Sequence, residues 1–362
     1  MKKLTSKLKR NKPAKKPERI TNATVAEHRE RILAGARKFA YPIQYTRQQL
    51  VLIATGIGLA VVLLFVAFSW YQLYRAQTTG QFFYRITQLV PLPVAKVDDE
   101  LVRYSDYLLE YRSNETYLTT VENIDKNSKE DGVQEQFDYI RVQAMQKAVA
   151  NTYAQKIANE RGIEITDDQV TAAIERTRRV NSSQEISEAA YNRTLEQYYG
   201  QSPDEGRYVM KQSLLRQEVS YAIDERAQSV ADAVEKRISA ANGDSAVDFE
   251  KLAADMQGEY AEVQQATSGW VRENNPDGGI AAAAAALDKG QVAGPIKPFS
   301  GDGYYFIQLI DRNQNGEINY AHIKVPLLVF AEQVAALQQD GKIEHYIAMP
   351  DVQPQLQSDD EN

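Results

Sequence analysis

Few residues in this chain could do covalent chemistry. It has three histidines, His28, His322 and His345, far apart in sequence, and no cysteine. The absence of Cys excludes disulfides, thiolate metal sites and a thiol nucleophile. No His/Asp/Glu group has metal-ligand spacing, and neither G-x-x-x-x-G-K-[ST], G-x-G-x-x-G nor G-x-S-x-G occurs. Hydrolase, kinase and zinc chemistry lose their footing, and no metal or cofactor is expected. What remains is noncovalent binding, or a reaction that makes and breaks no bond.

The elements that would position such a function start from residues 50–70, LVLIATGIGLAVVLLFVAFSW, a run without a charge. A helix spanning a hydrocarbon core of about 30 Å needs about 20 apolar residues, so the run predicts a single transmembrane helix. Tyr45, Arg47, Trp70, Tyr71 and Tyr74 flank it as headgroup-level anchors. It exceeds a signal-peptide core, and no clear A-x-A site follows. Residues 1–49 carry 14 Lys+Arg against three Glu, so a tail of +11 precedes a body of −18. The positive-inside tendency makes the tail cytoplasmic and everything after about residue 71 extracytoplasmic. The run KKLTSKLKRNKPAKKPER is expected to be disordered; its cations suffice to fix topology, and no nucleic-acid partner is expected.

Residues 71–93 read as a juxtamembrane spacer closing on Pro91 and Pro93. Then come a short strand, a turn at Asp98-Asp99 and a helix entered near Ser105. Val142, Met145, Val149, Tyr153 and Ile157 recur at helical spacing, with Gly162 as the stop. Thr166-Asp167-Asp168-Gln169 and Ser202-Pro203-Asp204-Glu205 are capping-box starts, the second with Pro at the first helical position. A further stripe of Val230, Val234 and Ile238 runs to a break at Asn242-Gly243-Asp244. Three of these stretches, VAKVDDELVRYSDYL, AMQKAVANTYAQKIANERGIEITDDQV and LEQYYGQSPDEGRYVMKQSLLRQEV, resemble in order the landmarks of the N-terminal domain of foldases of the SurA, PrsA and PpiD type.

From Val247 the pattern changes. DFEKLAADM reads as a short helix, GWV (269–271) as a strand and 280–287 as an Ala-rich helix, followed by a turn and two strands. The last strand alternates Tyr305, Ile307 and Leu309 with Phe306, Gln308 and Ile310. D-F-x-x-L-A, G-W, L-x-x-G-x-x-[SA]-G-P-[IV] and G-Y-x-x-I-x-L together resemble the parvulin family of peptidyl-prolyl isomerases. Rotation about an X-Pro amide crosses a barrier of roughly 18–20 kcal/mol with no bond made or broken, so reactive groups are dispensable. Such a catalyst needs an apolar cup and polar groups that favour the twisted amide.

The resemblance assigns Tyr305 and His322 as catalytic residues and Met256, Trp270, Ile280, Leu287 and Phe306 as substrate-binding residues. It also exposes departures: Tyr305 stands where the family usually has His, and the loop after the 249–256 helix offers only Gly258-Glu259-Tyr260 in place of an Asp or Cys. The segment before the 229–241 helix, 219–223, has no His. A better match to the family's first strand, residues 318–325 with His322, follows the last strand, as a circularly permuted strand would; otherwise His322 is an ordinary half-exposed strand residue.

The expected fold class is α+β: a transmembrane helix, a helical SurA-N-like chaperone domain and a small parvulin-like α/β domain with an antiparallel sheet. The expected layout is a basic cytoplasmic tail (1–49), the anchor (50–70), the spacer (71–93), the helical domain (94–242), the parvulin-like domain (243–325), a C-terminal helix returning to the helical domain (326–350) and an acidic disordered tail (351–362). The expected function, as the two resemblances imply it, is a membrane-tethered extracytoplasmic foldase, a parvulin-type peptidyl-prolyl cis-trans isomerase with a divergent active site that binds and assists the folding of unfolded or newly secreted, proline-containing polypeptides, with membrane lipid as its other partner. A non-catalytic holdase and a bitopic envelope scaffold are the alternatives.

Overall fold

The structure is a computed structural model that describes residues 21–40, 46–130, 132–181, 184–241, 247–258 and 260–351. The basic run 2–19, the Asn242-Gly243-Asp244 break, Glu259 and residues 352–362 of the acidic tail lie outside the described residues. The chain divides into two compact units, Met1–Phe68 and Ser69–Asn362.

The first unit holds α1 (Asn22–Ala40) and most of α2 (Arg47–Trp70). The α1 helix lies inside the region read only as a basic tail. A π-helical turn, Tyr71–Arg75, continues α2, and the 29-residue Arg47–Arg75 stretch is long and apolar enough to cross a membrane.

The second unit opens with a correction. Residues 71–93 are not a spacer: Leu73 is fully buried, and α3 (Gln81–Leu89) buries Phe83, Tyr84 and Thr87. Their one- and four-residue spacing makes a helix face, but Phe82 and Leu89 on the other side blur the stripe in the sequence. The turn at Asp98 (φ 51°) closes a hairpin of β1 (Pro93–Val97) and β2 (Glu100–Arg103), so a second strand precedes the helix, which is entered at Tyr104, beside the expected Ser105. There follow α4 (Tyr104–Thr120) and α5 (Val133–Arg161), which stops at Gly162 in the left-handed conformation. Next come α6 (Asp167–Arg178), a small hairpin of β3 (Arg179–Asn181) and β4 (Gln184–Glu185), α7 (Glu188–Tyr199) and α8 (Pro203–Ile223). Both capping boxes form as read, Thr166 with Gln169 and Ser202 with Glu205. Residues 219–223 are the last turn of α8, not a strand.

The rest of the chain is α9 (Glu225–Ala241), α10 (Phe249–Gln257), β5 (Gln264–Thr267), α11 (Ile280–Ala285), β6 (Val292–Ile296), β7 (Gly303–Arg312), β8 (Ile318–Pro326), α12 (Val329–Gln339) and β9 (Ile343–His345). Four strands form an antiparallel sheet in the order β5-β8-β7-β6, so β8 has an interior place between β5 and β7. The expected strand at 269–271 is reduced to a single bridge from Val271 to Ile318. The strand that does form nearby, β5, is the polar run Gln264-Gln265-Ala266-Thr267, mostly exposed at a sheet edge and without apolar alternation to reveal it. At the other edge, Gly294 (φ 146°) sits in the β6 bulge; a Cβ there would meet the Phe306 ring and the Tyr305 carbonyl.

Packing redraws the domain boundary. Val230, Val234 and Ile238 of α9 pack with Phe249 and Met256 of α10 on the Tyr304–Phe306–Ile323 face of the sheet. The helix expected to close the helical domain therefore belongs to the sheet module. The opposite face packs Ile280, Ala284 and Leu287 against Tyr305, Ile307, Leu309, Ile318 and Tyr320. After β8 the chain crosses back: α12 sets Phe330 5.8 Å from Tyr153 of α5, and β9 pairs with β1.

Candidate functional site

The period-2 geometry of β7 and β8 sends alternate residues to opposite faces. Tyr305 of β7 and Tyr320, His322 and Lys324 of β8 share the α11 face. Cross-strand register sets Tyr305 opposite Lys324 and Ile307 opposite His322, bringing the Tyr305 and His322 rings to 5.6 Å between centroids. Tyr320 lies 6.1 Å from His322 on the other side and donates to Asp277 at 2.7 Å.

Asp302, at the mouth of β7, ties the cluster together. It accepts from the Tyr305 hydroxyl at 3.0 Å and from Lys324 Nζ at 2.6 Å, while the Ser300 hydroxyl donates to its second oxygen. Burial pushes the Asp302 carboxyl up, yet the bonds from Lys324 and Ser300 bring it below the ordinary carboxylate range. Burial raises the Tyr305 hydroxyl. Burial and then the Lys324 charge lower the His322 pKa against the opposing pull of Asp277 and Asp302, so the imidazole is neutral at neutral pH. Its Nδ1 is buried without a hydrogen-bond partner.

A neutral imidazole has one N–H and one acceptor nitrogen. Beside an amide twisting out of plane, whose nitrogen lone pair localises as resonance is lost, such a group supplies a polar contact that the planar amide does not use. The surrounding cup is less favourable. Ile280 and Leu287 share the face of Tyr305 but are buried in the core beneath α11. Met256 and Phe306 lie on the opposite face, at 0% and 1% exposure, packed with α9 and α10, and cannot line a site with Tyr305 and His322. Trp270 stands half-exposed in the loop after β5. Of the residues expected to bind substrate, only Trp270 offers free surface. Lys324 and Tyr320 escaped sequence reading although each lies two residues from His322, which is a strand-face signal; Asp302 sits in a loop and carries no periodic signal.

The helical region contributes a second feature. Two clefts, of about 320 and 340 Å³, flank the bond from the Tyr208 hydroxyl of α8 to Asp106 of α4, 3.1 Å, and share Arg103, Asp106 and Tyr208. One is lined by Tyr84, Gln88, Leu109 and Glu205, the other by Leu101, Asn151, Gln155, Asn159 and Gln212. Burial raises the Asp106 carboxyl above its ordinary value, opposed by its bond from Tyr208. Side-chain amides that both donate and accept suit the main chain of an extended polypeptide, whatever its sequence.

The comparison with known families falls on the apolar helix and the helical body that carries these clefts, ahead of the sheet module. Residues 43–220 match the family model for the SurA-like N-terminal domain, a chaperone-type domain. The matched span takes in α2 and α3 and ends within α8, before the helix that packs on the sheet module. No curated protein matches the chain.

Proposed function

We propose that the chain is a membrane-tethered extracytoplasmic chaperone that holds unfolded or newly secreted polypeptides, with a parvulin-like sheet module that grips proline-containing segments. The carrying observation is the SurA-like N-terminal match over residues 43–220, in a body with one cleft lined by the side-chain amides of Asn151, Gln155, Asn159 and Gln212. The +11 tail before the apolar helix supports a cytoplasmic N-terminus. Burial of Ile280, Leu287, Met256 and Phe306 argues against turnover, because it leaves no free apolar cup beside Tyr305 and His322, and it leaves half-exposed Trp270 as the apolar surface for grip.

Prolyl cis-trans isomerisation is the second reading, favoured by the neutral His322 beside Tyr305 with an unpartnered Nδ1. A single assay separates the two: the full chain in nanodiscs, tested for suppression of aggregation of an unfolded client and for cis-trans exchange on short X-Pro peptides by NMR. The holding function predicts suppression that survives Tyr305→Phe combined with His322→Ala, with peptide exchange at the uncatalysed rate. Exchange that is accelerated, and lost in that double variant, establishes the isomerase. Failure to suppress aggregation overturns the chaperone reading.

A further inference from the structure

We infer that the free edge of β5 takes an extended client segment as a fifth strand of the sheet. The inference rests on the client-holding reading above and names how the sheet module grips. β5 is an outer strand of the β5-β8-β7-β6 sheet and pairs with β8 alone. The Ser268 N–H donates to the Tyr320 carbonyl at 2.9 Å, which fixes the alternation: the main chains of Gln264, Ala266 and Ser268 face β8, and those of Gln265 and Thr267 face outward. Among the described residues nothing bonds to the outward N–H and C=O groups of Gln265 and Thr267. An extended main chain fits such a row, because its own N–H and C=O groups alternate at the same spacing. A second copy of this chain fits it poorly: a strand of four residues offers a small part of the roughly 1,200–2,000 Å² that a stable complex of folded chains buries.

In the two larger sheets the other outer strands are guarded. β6 has a bulge and Pro295, which has no N–H, while β2 and β9 carry Glu100, Arg103 and Glu344. β5, Gln264-Gln265-Ala266-Thr267, has neither charge nor proline, and its register with β8 is unbroken. Its position also suits a segment that contains proline. Ala266 is directly opposite His322 and shares its face, so β5 itself places only a methyl group between that imidazole and a strand added about 5 Å farther out. The added strand is in turn an edge, where proline is tolerated at every second position because the N–H it lacks would point to solvent. Between Ser268 and Val271, bonded to Tyr320 and Ile318, the two residues Gly269 (φ 64°) and Trp270 oppose the single Asn319. This bulge ends the row and sets half-exposed Trp270 beside it.

The test is hydrogen–deuterium exchange of the full chain in nanodiscs, read by mass spectrometry with residue-level fragmentation, with and without saturating reduced, carboxymethylated α-lactalbumin as the unfolded client. The expected result is exchange at Gln265 and Thr267 slowed at least about tenfold by the client, and a several-fold weaker client affinity in Thr267→Pro. That substitution removes an outward N–H and no bond to β8, so the sheet is kept. If its circular dichroism melt shifts all the same, exchange at Gln265 and Thr267 of the unsubstituted chain decides alone. Client bound and kept from aggregating, with exchange at both residues unchanged, overturns strand addition and leaves the holding function standing. No client binding removes the holding function and the inference with it. Slow exchange without client that deepens with chain concentration identifies a second copy as the occupant and also overturns the inference.

Discussion

His322 concentrates the chemistry available to this chain at a single side chain, and its environment makes a pH prediction with a definite sign. Its folded pKa lies below the unfolded value of 6.5 because burial and Lys324 disfavour the charged form. The unfolded state therefore binds the proton first, and the stability associated with a neutral His322 is lost as pH falls through 6.5 toward the folded pKa. His345, on the edge strand β9, has its pKa lowered by partial desolvation and acts in the same direction. In His322→Gln, the slope of stability against pH between 7 and 5 should shrink while the His345 part remains; urea unfolding at several pH values measures this. Asp302→Asn should lower the His322 midpoint further, since the Asp302 charge raises it, and NMR titration of the imidazole reads that shift. A second residue-scale prediction concerns Gly294. With φ at 146° and a Cβ position 2.8 Å from the Tyr305 carbonyl oxygen, Gly294→Ala combines backbone strain with overpacking and should cost at least about 2 kcal/mol by urea unfolding.

Among the elements, helix ends were legible and helix partners were not. Thr166-x-x-Gln169 and Ser202-Pro203-x-Glu205 carry their capping chemistry within four residues, so the sequence contains both halves of the interaction. The assignment of α9 was not local. Its Val230–Val234–Ile238 stripe suits any apolar surface, and only the sheet face of Phe306 and Ile323 supplies the partner. The same holds for Asp224, between α8 and α9. It is 1% exposed, and its carboxylate accepts from the backbone N–H groups of Ala227, Leu328 and Val329, joining the start of α9 to the entry of α12. Asp224→Ala strands three donors and should destabilise by about 3 kcal/mol. Loss of hydrogen-exchange protection concentrated in α9 and α12 is the signature that separates this from general destabilisation.

At the scale of the molecule, α3 changes how the body can be cut. A soluble version starting at residue 91 discards Leu73, Phe83 and Tyr84 from the first core. At about 1.5–3 kcal/mol for each large apolar side chain, that loss is comparable to the stability of a whole domain. Circular dichroism melting should show a cooperative transition for a fragment beginning at residue 69 and none for one beginning at 91. The long-range closure of the second unit points the same way. Strand β9 returns to pair with β1 and Phe330 reaches Tyr153, so both ends of the unit lie in the helical body.

The sequence by itself determined what rests on composition or on contacts a few residues apart: the apolar helix, the exclusion of thiol chemistry, the capped helix starts, and the two-faced alternation of residues 305–310. The tertiary structure alone decided where each apolar stripe is buried. It moved α3 and α9 into cores that the linear order did not announce, and it sent Met256 and Phe306 to the far side of the sheet from Tyr305. It also assembled Asp302, Lys324 and His322 around Tyr305. Periodicity states that a side chain has a face, but the surface covering that face comes from residues tens or hundreds of positions away, and that information exists only once the chain is folded.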